Sequence, residues 1–198
     1  MKTIQLILLT LVISILSLQV NAQKKYTIAK AVFEVTGTST VHDWSMKSTE
    51  GTGNANLIVT DSKLTDIKSL TITLNAESIK SSKTSMDEVA YEALDTKNHK
   101  IVRYVLKSAD KVNETTWDFT GSYTIAGVSR DFKTQVRITA NENGNFTLKG
   151  SNRVTFGDFE MAPPTAALGV VRTGKDLTIL FNITLTDFAK NENILVIK

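Results

Sequence analysis

The chain contains no cysteine. That absence excludes a disulfide framework, a thiolate metal site, a cysteine nucleophile and a cysteine-linked lipid anchor. Proline is nearly absent too: the two residues, Pro163 and Pro164, are adjacent, so only one connection carries that kind of break. Histidine is equally scarce, with His42 and His99 far apart in unlike surroundings. With Asp43, Asp87 or Glu88 they could in principle make a metal site or an acid/base pair, and polar residues at bends or caps are the plainer reading. No serine lies in a nucleophile-elbow sequence, and no glycine-containing bend has phosphate-loop spacing followed by a helix. Neither sign of charge dominates: 23 basic against 20 acidic side chains is too balanced to point to nucleic acid. Internal repeats, low-complexity tracts and linkers are missing as well.

Only one long apolar run exists, from Ile4 to Val20, preceded by Lys2 and followed by Val20-Asn21-Ala22. This pattern predicts a secretory signal peptide over residues 1–22, cleaved after Ala22; a single membrane anchor is the alternative, for which the run is short and polar-interrupted. Residues 23–198 then make one domain of a size that buries a substantial core. Without disulfides, packing alone must hold it.

What the chain does have is alternation. Residues 117–138 read WDFTGSYTIAGVSRDFKTQVRI. Trp117, Phe119, Gly121, Tyr123 and Ile125 share one face, and beyond a turn at Gly127 so do Phe132, Thr134, Val136 and Ile138. Period two with one apolar and one wet face predicts a half-buried antiparallel hairpin. The same rule picks out a strand from Ala31 with Phe33 and Val35 on one face. It picks out Ala55, Leu57 and Val59, then Leu70, Ile72 and Leu74, then Val102, Tyr104 and Leu106. After the turn signal Asn143-Gly144 come Phe146, Leu148, Gly150, Asn152, Val154 and Phe156, and lastly Leu177, Ile179, Phe181, Ile183 and Leu185.

The period changes in two places. Ser85-Met86-Asp87-Glu88 has capping-box spacing, and Met86, Val89, Ala90, Ala93 and Leu94 recur at helical intervals, so a short amphipathic helix is expected over residues 85–95. Residues 157–175, with both prolines and then Thr165 to Gly169, are expected to form a loop with one helical turn. About eight strands, one short helix and one proline-bearing connection predict an all-β fold, an antiparallel closed barrel of about eight strands; a β-sandwich is the alternative from pattern alone.

A family resemblance rests on specific residues. Gly121-Ser122-Tyr123-Thr124-Ile125-Ala126-Gly127-Val128-Ser129-Arg130 resembles the corresponding hairpin of the YceI-like family. Phe33, His42 and Gly51 repeat an early strand, histidine and glycine bend of that family, and His42-Asp43-Trp44 is the form of its Bacteroidetes-like branch. The Arg-Asp-x-His-Leu pattern and Lys-Tyr-Pro turn of many members are replaced here by Met86-Asp87-Glu88 and Asn98-His99-Lys100. The resemblance covers residues 26–188 in the same element order. It implies a lipocalin-like barrel, an exported protein and a polyisoprenoid ligand.

The inward faces carry no charge and so offer no acid/base chemistry, which makes an enzyme the lesser expectation and leaves no cofactor or metal to place. The expected apolar cavity is lined by Phe33, Val35, Leu57, Leu74, Tyr104, Trp117, Phe119, Tyr123, Phe132, Phe156 and Phe181. Gly121, Gly150 and Ala55 are expected to leave room inside, at the barrel size that either fills or holds one small ligand. Met86, Val89, Leu94 and Leu168 are expected at the mouth. The implied partner is an isoprenoid or other long-chain lipid, in a periplasmic or secreted protein without a stable membrane span. A periplasmic hydrolase or metal-dependent enzyme using His42 and Asp43, and a structural domain with a filled core, stay open. So does the oligomeric state, a homodimer included.

Overall fold

The structure is a computed structural model that describes residues 23–189; the signal peptide expected over residues 1–22 lies outside them. In chain order the strands are β1 Gln23–Ser39, β2 Trp44–Ser48, β3 Thr52–Thr60 and β4 Lys63–Asn75, then helix α1 Thr84–Ala93. They continue as β5 Ile101–Lys111, β6 Thr116–Ile125, β7 Val128–Ala140, β8 Phe146–Thr155, β9 Thr165–Ala166 and β10 Val171–Asp187. All pairings are antiparallel, in the order β1-β3-β4-β5-β6-β7-β8-β10, and β1 pairs with β10 to close the ring. Eight strands thus form the expected closed barrel, with β2 and β9 as short additions. Closure leaves every long strand paired on both sides, which removes the exposed edges an open sheet would present.

The hairpin β6–β7 shows why the alternation was so clear. Along β6 every second residue, from Trp117 through Phe119, Gly121 and Tyr123 to Ile125, is buried and the intervening ones are not. The turn is two residues long, Ala126 (φ 49°) and Gly127 (φ 77°), with Ile125 paired to Val128. Two left-handed residues give the turn whose twist matches the flanking strands. The His99 ring lies where a side chain at Gly127 would go.

Several local expectations are corrected. The first strand begins at Gln23, not Ala31: residues 23–27 pair with 54–58 of β3, and Tyr26 is buried there although its neighbours are polar. Beyond a register shift between Ile28 and Lys30, the rest of β1 pairs instead with β2, a strand the sequence pattern did not reveal. Helix α1 starts at Thr84 with Lys83 as its N-cap and no capping box. Asp87 instead turns its carboxylate back to accept a hydrogen bond from the Ser81 N–H at 2.6 Å, which fixes the entry to the helix by a different route. The helical turn expected over residues 165–169 is a short strand and a tight turn, with Ala167, Leu168 and Gly169 all at positive φ, so β10 begins at Val171 rather than Leu177. A 3₁₀ turn occurs earlier, at Phe156–Phe159, where Thr155 and Asp158 do form a capping box.

Along the barrel axis the interior divides. Near the hairpins at residues 60–63, 111–116 and 140–146 it is solid: Tyr26, Leu57, Trp117 and Phe146 are at most 2% exposed, and Tyr26 meets Phe146 edge-on with ring centroids 5.6 Å apart. This packed end supplies much of the burial that replaces disulfides. Toward the other end, where α1 and the residue 157–170 connection lie, the inward side chains stand around an open space.

Candidate functional site

That space is a cavity of about 640 Å³. Its floor consists of Phe119, Val136, Leu148 and Ile183, and its walls include Leu70, Ile72, Leu74, Ile125, Val154 and Leu177. One side of the mouth is α1, whose Met86, Val89, Ala90, Ala93 and Leu94 face the cavity. The other side is Met161, Pro164, Thr165, Ala166 and Ala167, with Val171 and Thr173 from the start of β10. The apolar stripe of the helix is only half-buried, because the surface it faces is space rather than side chains. Polar and charged lining residues, Glu34, Ser39, His42, Lys83, Ser85 and Arg103, sit toward this end, and Glu34 is paired with Lys47 at 3.4 Å.

Helix α1 is held over the opening by polar ties. The Tyr91 hydroxyl donates to the backbone oxygen of Glu77 at 2.7 Å, and the buried Thr96 donates to the Glu77 carboxylate at 2.9 Å. Ser48 and Ser78, both buried, hydrogen-bond at 2.6 Å and join β2 to the 3₁₀ turn Ala76–Ser78. Lys47 and Lys80 then exchange backbone hydrogen bonds, so β2 and the segment before α1 extend the wall upward past the end of β4.

Of the residues the sequence pointed to, the structure places Phe33, Val35, Leu74, Tyr104, Phe119, Tyr123, Phe156 and Phe181 on the cavity lining and Met86, Val89 and Leu94 at its mouth. Three wall assignments are corrected. Leu57 and Trp117 belong to the packed end, below the floor. Phe132 lies behind the lining, edge-on to Tyr123 with centroids 5.8 Å apart and 5.9 Å from Phe159. Leu168 is corrected too: at the tip of the β9–β10 turn it is fully exposed and touches nothing of the cavity. The glycines also act differently from expectation. The Tyr104 ring lies against Gly121 on the neighbouring strand, where a Cβ would meet its Cε2 at 2.5 Å, and Phe181 lies in the same way on Gly150. Each glycine lets a large ring flatten onto the wall, which keeps the lumen open indirectly. Ala55 is simply buried in the packed end.

Sequence reasoning missed Trp44, Met46, Ile79, Phe159 and Met161 among the lining residues. Trp44 and Met46 are on β2, whose alternation is masked by its polar neighbours; the glycine at position 37, over which the Trp44 ring lies, was the one available signal.

The inner wall carries a polar patch among the described residues. Asn152 donates from Nδ2 to Thr134 Oγ1 at 2.5 Å, and Tyr123 lies with its hydroxyl on this pair. Burial pushes the Tyr123 phenol up from its ordinary range, with the hydrogen bonds from Thr134 and Asn152 acting against that. Tyr104, 4.9 Å from Tyr123 ring to ring, is pushed up more strongly, by burial and then by its tyrosine neighbour. Both are neutral phenols at any ordinary pH.

His42 and His99 are not brought together as a catalytic pair. His42 is exposed at the rim and its Nδ1 lies 2.7 Å from the Asp43 backbone oxygen, not on the Asp43 carboxylate. His99 packs on the β6–β7 turn, with Nε2 3.8 Å from Asp95. Among the described residues no group of three or more His, Asp or Glu is placed to hold a metal ion, and no helix is long and apolar enough to cross a membrane.

Comparison with solved structures finds the same fold at low identity. BcnA of Burkholderia cenocepacia superposes with a TM-score of 0.65 at 14% identity, covering 79% of this chain and 96% of that one. A polyisoprenoid binding domain from Saccharophagus degradans gives 0.61 at 8%, covering 82% and 98%. The YCEI protein of Campylobacter jejuni gives 0.54 at 18%, covering 66% and 78%. No curated protein sequence matches significantly. The model of the YceI-like domain matches residues 22–185, most of the chain, and the protein belongs to the YceI-like family.

Proposed function

We propose that this protein is an exported carrier that holds one long apolar lipid, of polyisoprenoid type, inside its barrel, and that it is not an enzyme. The observation that carries the reading is the cavity itself: about 640 Å³, apolar from floor to walls and roofed by an amphipathic helix. Its volume falls within the roughly 300–1,000 Å³ usual for small-ligand sites. A lipid chain entering it gains about 0.8 kcal/mol per buried methylene, so a chain of moderate length outweighs the cost of losing its freedom without any charged anchor. Side chains that do acid/base work are confined to the rim, and His42 there is turned to a backbone oxygen. The polyisoprenoid binding domain from Saccharophagus degradans shares the fold, which favours an isoprenoid over other chain lipids. The leader pattern of residues 1–22 favours export and a periplasmic or secreted location.

Solvent extraction of the protein purified from its exported fraction, followed by mass spectrometry, tests this. A co-purifying lipid of defined mass with a long hydrocarbon chain, on a polypeptide beginning at Gln23, is the expected result. A lipid-free protein that also fails to take up added isoprenoid alcohol would remove the carrier reading in favour of a purely structural domain.

A further inference from the structure

Tyr104 stands on the inner wall with no hydrogen-bond partner for its hydroxyl among the described residues. It is only 8% exposed and lines the cavity. Its neighbours on the wall are mutually satisfied: Asn152 donates to Thr134, and both serve Tyr123. Tyr104 has ring contacts only, stacking at a tilt on Tyr123 and lying on Gly121, and among the described residues nothing hydrogen-bonds its hydroxyl. No polar side-chain atom is sealed inside the described structure without a partner, so this oxygen faces the lumen and not a packed wall. The position is fixed from three sides. Tyr104 is in register with Ile72 on β4 and Tyr123 on β6, and Gly121 gives its ring a seat that any other residue would occupy.

A hydroxyl buried in apolar surroundings without a partner is unfavourable, and a pure hydrocarbon drawn over it makes matters worse by excluding water as well. A ligand oxygen placed opposite it reverses the sign. Building on the carrier reading, we propose that Tyr104 is a specificity-determining residue. Its hydroxyl donates to an acceptor oxygen on the bound lipid, so the barrel selects oxygen-bearing isoprenoids, with that oxygen inside the cavity beside Tyr104, over hydrocarbons of equal length.

The test compares two probes, farnesylacetone and the hydrocarbon in which its carbonyl is replaced by a methylene. Each competes with anilinonaphthalene sulfonate for the cavity of the wild-type protein and of Tyr104→Phe. The variant keeps the ring on Gly121, and unchanged dye binding and near-ultraviolet circular dichroism verify that its cavity is intact. The wild type binds the ketone more tightly, and Tyr104→Phe weakens the ketone by about threefold to tenfold, the range of one net hydrogen bond, while the hydrocarbon holds or improves. If both probes bind but the substitution leaves their affinity ratio unchanged, the proposal is overturned and the carrier reading stands. If neither probe displaces the dye from the wild type, the carrier reading falls and the proposal falls with it.

Discussion

Adding one methyl group at Gly121 tests the geometry of the cavity wall directly. A Cβ there would lie 2.5 Å from Cε2 of Tyr104 and against its Cζ and hydroxyl oxygen, where ordinary contacts are 3.4–4 Å. The ring must therefore move by about an ångström, beyond what dispersion forces tolerate without loss. It has no room to slide along the wall, since Tyr123 stands 4.9 Å away, so it tips into the lumen. Overpacking of this kind costs about 1–3 kcal/mol, offset in small part by the better strand propensity of alanine. With a urea m-value of roughly 2 kcal/mol per molar, Gly121→Ala lowers the unfolding midpoint by about 0.5–1.5 M. The same change made in a Tyr104→Leu background meets no ring, and its cost there falls below about 0.5 kcal/mol. The cycle isolates a coupling of about 0.5–3 kcal/mol. An equal cost of Gly121→Ala in both backgrounds would refute the flattened-ring account and with it the seat on which Tyr104 rests.

Two further outcomes follow from the mouth and from the buried phenols. Hydrogen exchange with and without bound lipid is expected to show protection rising in residues 84–93 and 163–173, because these segments face the cavity from opposite sides and must part for entry; no change in either removes them from the site. Burial raises the Tyr104 phenol above its ordinary value of 10.0, and a raised folded-state pKa means the folded form binds more protons at alkaline pH than the unfolded one. Its contribution is complete below that value and is lost above it, by about 1.4 kcal/mol per pH unit. Stability measured in urea should thus fall less steeply from about pH 10 to pH 12 in Tyr104→Phe than in the wild type, and equal slopes would mean that the phenol is solvated.

The inward faces were legible from sequence because they depend on a local rule: successive side chains of a strand leave on opposite sides, whatever the strand pairs with. Leu70, Ile72 and Leu74, or Trp117 through Ile125, declare a face by composition alone, and Ala126-Gly127 declares the turn between two such faces. Counting such faces gave about eight antiparallel strands and favoured a barrel over a sandwich, and the pairing of β1 with β10 is what closes it. Where along the barrel each inward residue would fall was not legible. Leu57 and Leu70 look alike in sequence, yet pairing of Leu57 with Ile67 places it in the packed end while Leu70 stands on the cavity wall. Strand β2 was hidden for the same reason: its partners are Phe33 to Gly37, and a ladder with a remote segment imposes extended structure that WSMKS does not announce. The hollow itself depends on Tyr104 lying over Gly121 and Phe181 over Gly150, contacts between neighbouring strands. Alternation fixes only the side of the sheet on which a ring emerges, and the direction in which it then lies is set by what the adjacent strand offers at that register, which exists only once the barrel has closed.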